Sequence, residues 1–193
     1  MKDQRLPPGQ KPIKKILRWY KDHPGITDKM PKLDLRTWRL KITGEVKIPV
    51  ILTWNELMKF PKTETIIDFH CVEGWSVLNC RWIGIEFRRI VETVKPNKKA
   101  KYVTFECADG YSTSLTLKEL LDENAILAYK LYDRILEKEL GYPLRLIIPN
   151  RYAYKNAMWL TEIRFTEKME IGYWEKRGYS YTADVWKNDR YQR

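Results

Sequence analysis

Short apolar runs that alternate with polar positions recur along the chain and predict a domain rich in β-strands. The predicted strands are WRLKIT (38–43), IIDF (66–69), KYVTFECA (101–108), LAYKLY (127–132), PLRLIIP (143–149) and WLTEIRF (159–165). Within IIDF, we expect Ile66, Ile67 and Phe69 to be buried. Glycines interrupt the pattern at Gly44, Gly74 and Gly110, where we expect turns.

Other segments carry helical signals. Thr53 and Thr116 each precede a glutamate by three positions, at Glu56 and Glu119, which is the pattern of a capping box at the start of a helix. Residues 83–94 place apolar side chains at helical spacing and charged side chains on the opposite face. Short strands with inserted helices, and no alternating βαβ pattern, predict a single domain of the α+β class.

A length of 193 residues fits one domain with a sizeable core. We expect the proline-rich residues 1–35 to form an arm packed on the domain, with one helical turn near 16–20. Residues 36–170 should form the domain itself, and residues 171–193 a packed tail. No apolar run approaches the roughly 18 residues of a membrane span, and nothing resembles an export signal. A cytoplasmic location without a transmembrane segment is therefore expected.

The formal net charge of +11 raises the question of nucleic-acid binding. The basic residues are spread along the chain, however, and no helix-turn-helix, zinc-finger or RNP pattern accompanies them. A solvated basic surface is the simpler interpretation, and a positive cleft for an anion or an anionic cofactor is compatible with the same charge. The aromatic and basic segment 171–193 could be a stacking platform for single-stranded nucleic acid. We interpret it as a packed arm and expect no nucleic-acid partner.

Among the residues that carry chemistry, Cys71 is the strongest candidate because the common catalytic motifs are absent. The chain has three cysteines and two histidines, which argues against a disulfide framework and a closed zinc site. Three interpretations of Cys71 stay open: a buried structural thiol, a nucleophile, or a thiolate ligand to a metal whose other ligands come from a cofactor. His70 is adjacent, but neighbouring residues of a strand point to opposite faces.

Two motifs carry a resemblance to a known family. DFHCVEGWS, followed by RWIGIEF, resembles the molybdopterin-binding domain of the sulfite oxidase family, and in particular its YedY-type branch, the catalytic subunits that reduce methionine sulfoxide in proteins. GYPLRLIIPNRYAYKNAMWLTEIRF (141–165) resembles the second signature of that family. The resemblance extends over nearly the whole chain and implies the sulfite oxidase fold, with residues 36–170 as the molybdopterin-binding domain.

The resemblance also implies roles for individual residues. Cys71 would be the one protein ligand to molybdenum, and Glu73 the active-site carboxyl group of the YedY-type branch. Arg145 would hold the anionic phosphate of molybdopterin. Further cofactor contacts are expected from Lys155, Asn156, Ala157, Met158 and Cys107. The chain departs from the family at Leu140, where a polar residue is common, and it has no evident counterpart of the N-terminal asparagine of the YedY-type branch.

The activity implied is two-electron oxygen-atom transfer, in the direction of reducing an S-oxide or N-oxide of a small molecule or a protein. A carboxyl group beside the metal suits proton transfer to an oxygen that leaves as water, whereas arginines would suit an oxyanion such as sulfite. Electrons would come from a separate redox partner, either a cytochrome, a quinone-linked protein or a flavoprotein. The alternatives are a sulfite-type oxidase with the same centre and a basic binding protein without enzymatic activity.

Overall fold

The computed structural model describes residues 5–192, which form thirteen β-strands, three α-helices and three 3-10 helices. The strands are β1 (Lys11–Pro12), β2 (Arg39–Gly44), β3 (Val50–Thr53), β4 (Thr63–Ile66), β5 (Phe69–His70), β6 (Trp75–Val77), β7 (Arg81–Glu86), β8 (Tyr102–Cys107), β9 (Ser112–Thr116), β10 (Ile126–Leu131), β11 (Arg134–Ile135), β12 (Arg145–Ile147) and β13 (Leu160–Thr166). The helices are α1 (Trp54–Leu57), α2 (Phe87–Val94) and α3 (Leu117–Asp122), with 3-10 helices at Lys138–Leu140, Ala153–Lys155 and Glu175–Arg177.

The strands build two five-stranded sheets and one small three-stranded sheet. The first sheet has the order β3-β2-β13-β8-β9, and in it β2 and β13 run parallel. The second sheet has the order β11-β10-β7-β4, with β12 also paired to β10. The small sheet joins β1, β6 and β5. This arrangement of mixed sheets with few helices confirms the predicted α+β class.

The main core is built from both large sheets and from α2. Phe87 of α2 stacks against Phe105 of β8 and Phe165 of β13, with ring centroids 5.9 and 6.1 Å apart. A second core forms around Phe69, Trp75 and Trp82, on the side where the small sheet lies. Burying this many aromatic rings supplies a large part of the hydrophobic free energy of folding.

The capping boxes predicted for the first and third helices are present. In α1, the Glu56 backbone N–H donates to Thr53 Oγ1 (3.2 Å) and the Thr53 backbone N–H donates to the Glu56 carboxylate (2.8 Å). In α3, Thr116 and Glu119 make the same reciprocal bonds, at 3.1 and 3.0 Å. Each box satisfies backbone donors that would otherwise lack a partner at a helix start.

The helix predicted over 83–94 begins only at Phe87, and residues 81–86 form strand β7. Strand β7 pairs with β10 on one side and β4 on the other and is buried on both faces. The sequence of a strand that is buried on both faces shows no alternation of apolar and polar residues. The apolar residues of β7 therefore fitted the helical spacing of α2, and the helix was predicted to begin too early.

Two smaller expectations are also wrong. Ile66 ends the strand β4 and is 63% exposed, although Ile67 and Phe69 are buried as predicted. No helical turn forms at 16–20. The chain turns instead just beyond, where the carbonyl oxygen of Arg18 accepts backbone N–H groups from Asp22 and His23.

The arm and the tail both contact the domain. In the arm, β1 pairs in parallel with β6, and the Lys11 backbone N–H donates to the Gly74 carbonyl oxygen at 2.8 Å. The tail bonds to β9 through the Tyr173 backbone N–H and the Ser112 carbonyl oxygen, at 2.9 Å. Residues 1–4 of the predicted arm and residue 193 of the predicted tail lie outside the described residues.

No helix within residues 5–192 has the length and apolar character needed to cross a membrane.

Candidate active site

A cavity of about 240 Å³ opens where the β5–β6 turn, the loop after β12, the arm and the tail meet. Six of the eight predicted site residues contribute to its lining: Cys71, Glu73, Arg145, Asn156, Ala157 and Met158. Residues 71 and 73 come from one turn, and residues 145–158 from the second sequence motif. The fold thus brings the two motifs into one site.

Cys71 follows β5 directly, at the start of a tight turn. Its backbone N–H donates to the Trp75 carbonyl oxygen (2.8 Å), and its carbonyl oxygen accepts the Gly74 backbone N–H (3.1 Å). Gly74 has φ of +101°, and a Cβ atom there would lie 3.0 Å from the Gly9 carbonyl oxygen. Glycine therefore permits both the turn and the close approach of the arm. This turn places the sulfur atom at the cavity with only 6% of the residue exposed.

The surroundings of Cys71 do not favour a nucleophile in the protein without cofactor. Burial raises the pKa of the Cys71 thiol to about 12. His70 does not act as its base, because His70 Nδ1 lies 2.7 Å from Ser76 Oγ, within the small sheet. His70 is also absent from the described lining of the cavity, in agreement with the expectation that it points away from Cys71. A thiol of this kind becomes a thiolate when a metal ion replaces its proton.

Glu73 places its carboxylate beside the sulfur atom. The Cys71 thiol lies 3.7 Å from Glu73 Oε2, and the Trp75 indole N–H donates to the same oxygen at 3.2 Å. The other oxygen, Oε1, lies 2.8 Å from His23 Nε2. Burial raises the pKa of Glu73, but the hydrogen bonds from His23 and Trp75 outweigh burial and hold this pKa below its ordinary value. The carboxylate is thus held at the cavity in its charged form.

Arg145 carries a buried positive charge without a carboxylate partner among the described residues. Its guanidinium donates to the carbonyl oxygens of Leu140 (2.9 Å) and Asn156 (3.2 Å), while Nε has no hydrogen-bond partner. The group lies over the rings of Phe69 and Trp82, at 5.1 and 5.5 Å from their centroids. Burial lowers the pKa of Arg145 to about 9, so the group is still a cation at neutral pH. A buried cation with a free donor is a site for an anion.

The loop that follows β12 is tied back onto that strand. Asn156 Oδ1 accepts the Ile148 backbone N–H at 2.6 Å, and the Ala157 carbonyl oxygen accepts the Leu146 backbone N–H at 2.8 Å. These bonds fix the backbone of residues 156–158 along the cavity. The predicted main-chain contacts of Asn156, Ala157 and Met158 therefore come from a segment held in place before any ligand binds.

Lys155 and Cys107 are the two predicted site residues that the structure does not bring to the cavity. Lys155 is fully buried, and its ammonium group pairs with Glu175 and donates to the Ser114 carbonyl oxygen at 3.0 Å. Its charge is satisfied inside the protein, behind the loop. Cys107 packs in the main core, and burial raises the pKa of its thiol well above the ordinary value. A direct cofactor contact for either side chain is thus a prediction that the geometry does not support.

Sequence reasoning missed several residues of the cavity. His23 is one of them, because no local motif connects it to Glu73, fifty positions away. Asp109 is another: it precedes the turn glycine Gly110 and lines the cavity, and burial raises its pKa. The missed aromatic lining comes from the arm, the domain and the tail and consists of Trp19, Tyr111, Tyr154, Trp159, Tyr173, Trp174 and Tyr179.

Comparison with known families agrees with this geometry. Residues 27–174 match the family described as the oxidoreductase molybdopterin binding domain. The chain belongs to this family, within the sulfite oxidase group, and is therefore a molybdopterin-dependent oxidoreductase. The resemblance drawn from DFHCVEGWS and the PLRL segment is confirmed.

Particular relatives extend the comparison. The chain is 37% identical over 158 residues to the uncharacterized oxidoreductase YuiH of Bacillus subtilis, covering 82% of this chain and 80% of that protein. It is 31% identical over 170 residues to the protein-methionine-sulfoxide reductase catalytic subunit MsrP of Campylobacter jejuni, with 78% and 57% covered. The MsrP of Xanthomonas axonopodis pv. citri is 34% identical over 158 residues, with 74% and 49% covered. The chain thus spans only about half of the length of these two reductases.

A solved structure shares the fold. The sulfane dehydrogenase SoxCD of Paracoccus pantotrophus superposes with a TM-score of 0.68 at 22% identity, over 72% of this chain and 41% of that one. At this level of identity the likeness concerns the architecture. It confirms the predicted sulfite oxidase fold.

The cavity has the chemical groups that a molybdenum–molybdopterin cofactor needs from a protein. A buried sulfur atom is available as a soft ligand, and the Nε–H of Arg145, which has no hydrogen-bond partner among the described residues, is available for an anionic group. Residues 156–158 line the same cavity. The orphaned Nε of Arg145 is the observation that best indicates a missing anionic ligand.

Proposed function

We propose that this protein reduces a neutral S-oxide or N-oxide by two-electron oxygen-atom transfer, with Cys71 as the metal ligand and Arg145 as an anchor of the cofactor. The bound molybdenum–molybdopterin group would supply the redox chemistry itself. In the overall reaction the S–O or N–O bond breaks, two electrons and two protons are taken up, and the products are the sulfide or amine and water. The electrons would come from a separate redox protein, either a cytochrome, a quinone-linked protein or a flavoprotein.

The observation that carries this proposal is the position of Glu73. Its carboxylate lies beside Cys71 and is held by two donors, so a group that can accept a proton and pass it on lies next to the proposed metal ligand. Bonds from His23 and Trp75 keep the carboxylate in place. The relatives named as methionine-sulfoxide reductases support the same direction of reaction.

The sulfite-type alternative finds less support in the lining of the cavity. An oxyanion substrate needs cationic groups in reach, and a carboxylate beside it would repel it. Arg81, Arg88 and Arg89 are absent from the described lining. Arg81 is paired with Glu64 and Asp133 instead. Of the described lining residues, only Arg145 and His23 are basic, and the latter is paired with Glu73.

The test is a comparison of both directions of reaction in protein expressed in a host that makes the cofactor. Molybdenum and pterin are quantified first, and then the reduction of dimethyl sulfoxide, methyl p-tolyl sulfoxide and trimethylamine N-oxide is measured with reduced methyl viologen. Sulfite oxidation is measured with ferricyanide. We expect turnover in the reductive assays, with Glu73→Gln lowering kcat by roughly 100-fold or more at unchanged molybdenum content.

Glu92→Gln, an exposed substitution on α2, serves as the matched control and should behave as wild type. Sulfite oxidation faster than every reductive assay would overturn the proposed direction. A fully active Glu73→Gln variant would remove the proposed role of the carboxylate. The location in the cytoplasm and the identity of the redox partner stay predictions.

A further inference from the structure

The N-terminal arm contributes a side chain to the cavity that no sequence motif assigns. The arm turns at residues 18–23, and this turn presents His23 to Glu73 in the β5–β6 turn. His23 Nε2 lies 2.8 Å from Glu73 Oε1. The two residues come from separate segments of the chain, and their contact is made only by the packed arm.

The imidazole of His23 is fixed on three sides. Its ring stacks on Trp19, with centroids 5.2 Å apart and an interplanar angle of 30°. Its Nδ1 lies 2.9 Å from the Pro24 carbonyl oxygen. A carbonyl oxygen only accepts hydrogen bonds, so Nδ1 carries the hydrogen of that contact. The Glu73 carboxylate also accepts, so Nε2 carries a second hydrogen and His23 is an imidazolium in this arrangement. With the ring held at Trp19 and at Pro24, Nε2 is directed at Glu73.

The two carboxylate oxygens of Glu73 have different partners. Oε1 is held by His23, whereas Oε2 accepts the Trp75 indole N–H and faces the Cys71 sulfur atom. The Glu73 side chain is 48% exposed and could otherwise rotate into solvent. A long side chain loses its preferred direction unless surrounding contacts restrict its rotamers.

We infer that His23 is a positioning residue that holds the Glu73 carboxylate with Oε2 facing the reacting atoms at Cys71. The inference rests on the proposed function, because it assigns Glu73 the transfer of a proton there. It also gives the arm a role in turnover. In this chain, a histidine of the N-terminal segment reaches the active-site glutamate, and no asparagine counterpart from that segment is evident in the sequence.

The first test follows the position of Glu73 without using activity. The Trp75 indole N–H donates to Glu73 Oε2, so its NMR resonance in the full-length protein reports where that oxygen lies. Trp75→Phe assigns the resonance, and Glu73→Gln gives its value without the carboxylate. We expect His23→Leu to move the resonance towards the Glu73→Gln value, in both the cofactor-free and the oxidised loaded protein. His23→Gln should leave it near wild type, because its amide N–H can donate to a carboxylate.

The second test separates positioning from binding. In the methyl viologen assay, His23→Leu should lower kcat by about 10- to 100-fold and change KM by less than about twofold. His23→Gln should restore most of kcat. Lys21→Gln, an exposed residue of the same turn, is the control for the arm and should match wild type.

The outcomes separate this inference from the proposed function. A Trp75 resonance that stays at its wild-type position in His23→Leu overturns the inference, even when the wild type reduces S-oxides. A shifted resonance with an unchanged kcat overturns it as well, because Glu73 would then move without consequence. If the wild type shows no reductase activity at all, the proposed function fails, and the positioning role in turnover fails with it. The resonance then shows whether His23 holds Glu73 independently of any reaction.

Discussion

Cys71 lies in a turn where the carboxylate two positions later, rather than the adjacent histidine, approaches its sulfur atom. Arg145 lines the same cavity as a cation that donates to two carbonyl oxygens and lies over two aromatic rings. At the scale of single residues, the charged guanidinium is costly to bury without an anionic partner, whereas the neutral thiol is not. A soft ligand atom and an unpaired cation are complementary to a metal complex that carries a phosphate group.

Substituting Cys71 tests the ligand role directly. We expect Cys71→Ser to fold normally but to lose reductase activity, because a hydroxyl group is a poor replacement for a thiolate towards a soft metal centre. The electronic spectrum of the loaded protein should change at the same time. Cys80→Ala is the control, since Cys80 is a fully buried thiol outside the lining of the cavity. Equal spectra and activities for Cys71→Ser and wild type would exclude the ligand role.

Substituting Arg145 tests the anion site. Arg145→Met removes the buried cation, and we expect the pterin content of the purified protein to fall by about 10-fold or more. Arg145→Lys keeps the charge and loses the fork of donors, so an intermediate pterin content is expected. The measurement is fluorescence of the oxidised pterin released per protein chain. Wild-type content in Arg145→Met would show that the phosphate is held elsewhere.

At the scale of elements, Lys155 joins three parts of the chain. It lies in the loop after β12, donates to the backbone of β9, and pairs with Glu175 in the tail. Glu175 also accepts a hydrogen bond from Thr113 Oγ1 at 2.7 Å. The pair therefore holds the loop that lines the cavity from behind. This support replaces the direct cofactor contact that the sequence motif suggested.

Substituting one residue of the Lys155–Glu175 pair should lower the free energy of unfolding more than substituting both residues. We expect Lys155→Met to destabilise the protein by about 3–5 kcal/mol, because Glu175 is left as a buried unpaired charge. The double variant Lys155→Met/Glu175→Leu should regain a large part of that loss. Urea denaturation of the cofactor-free proteins measures both values. Additive losses in the double variant would show that the two charges do not depend on each other.

The cap of α3 gives a prediction for acid stability. Burial raises the pKa of Glu119, but hydrogen bonds from Thr116 and Arg151 outweigh burial and lower this pKa below the ordinary 4.5. A lowered folded-state pKa stabilises the protein above the unfolded-state value, and this stabilisation is lost as the pH falls through the folded-state pKa. The difference in free energy of unfolding between wild type and Glu119→Gln should therefore be largest near pH 7 and should decrease as the pH falls below 4.5. A gap that is constant with pH would contradict this assignment.

Which elements could be predicted depends on how local their signals are. The capping boxes at Thr53 and Thr116 are short and reciprocal, and both were correctly predicted. The start of α2 was predicted too early. Strand β7 is paired on both sides and buried on both faces, so its sequence shows no alternation of apolar and polar residues. At the site, the Cys71 turn and the strand that carries Arg145 each lie within one contiguous sequence motif, so both were predicted. His23 and the aromatic lining depend on how the arm and the tail pack, which short-range patterns do not encode.

At the scale of the whole molecule, the charge of +11 is the most general property that bears on function. A positive molecule attracts anionic reactants over roughly 8–10 Å at moderate ionic strength. Its redox partner should therefore present an acidic surface, since complementary charge raises the rate of productive encounter.

Much of the aromatic tail packs on itself, with Tyr179 lying 5.0 Å from Trp174 and 5.3 Å from Tyr191, centroid to centroid.

Small redox reagents of opposite charge test this long-range field. We expect ferricyanide, an anion, to oxidise the reduced loaded enzyme at a rate that falls as ionic strength rises. A cationic oxidant such as hexaammineruthenium(III) should show the opposite trend, because salt screens the repulsion. Stopped-flow measurements from low to moderate salt give both slopes. Two slopes of the same sign would show that the net charge does not govern access to the site.

The contacts of Arg190 have a consequence for how the enzyme is made. Its guanidinium donates to the carbonyl oxygens of Val72 and Gly9, so the tail is fastened to the Cys71 turn and to the arm at one point. The ribosome synthesises Gly9 before Val72, and Val72 before Arg190. Residues 173–179, which contribute to the wall of the cavity, are likewise synthesised after Gly9 and Val72. A nascent chain that lacks residues 173–190 therefore lacks part of the cavity wall, and we expect a cofactor to be enclosed only after these residues have been synthesised.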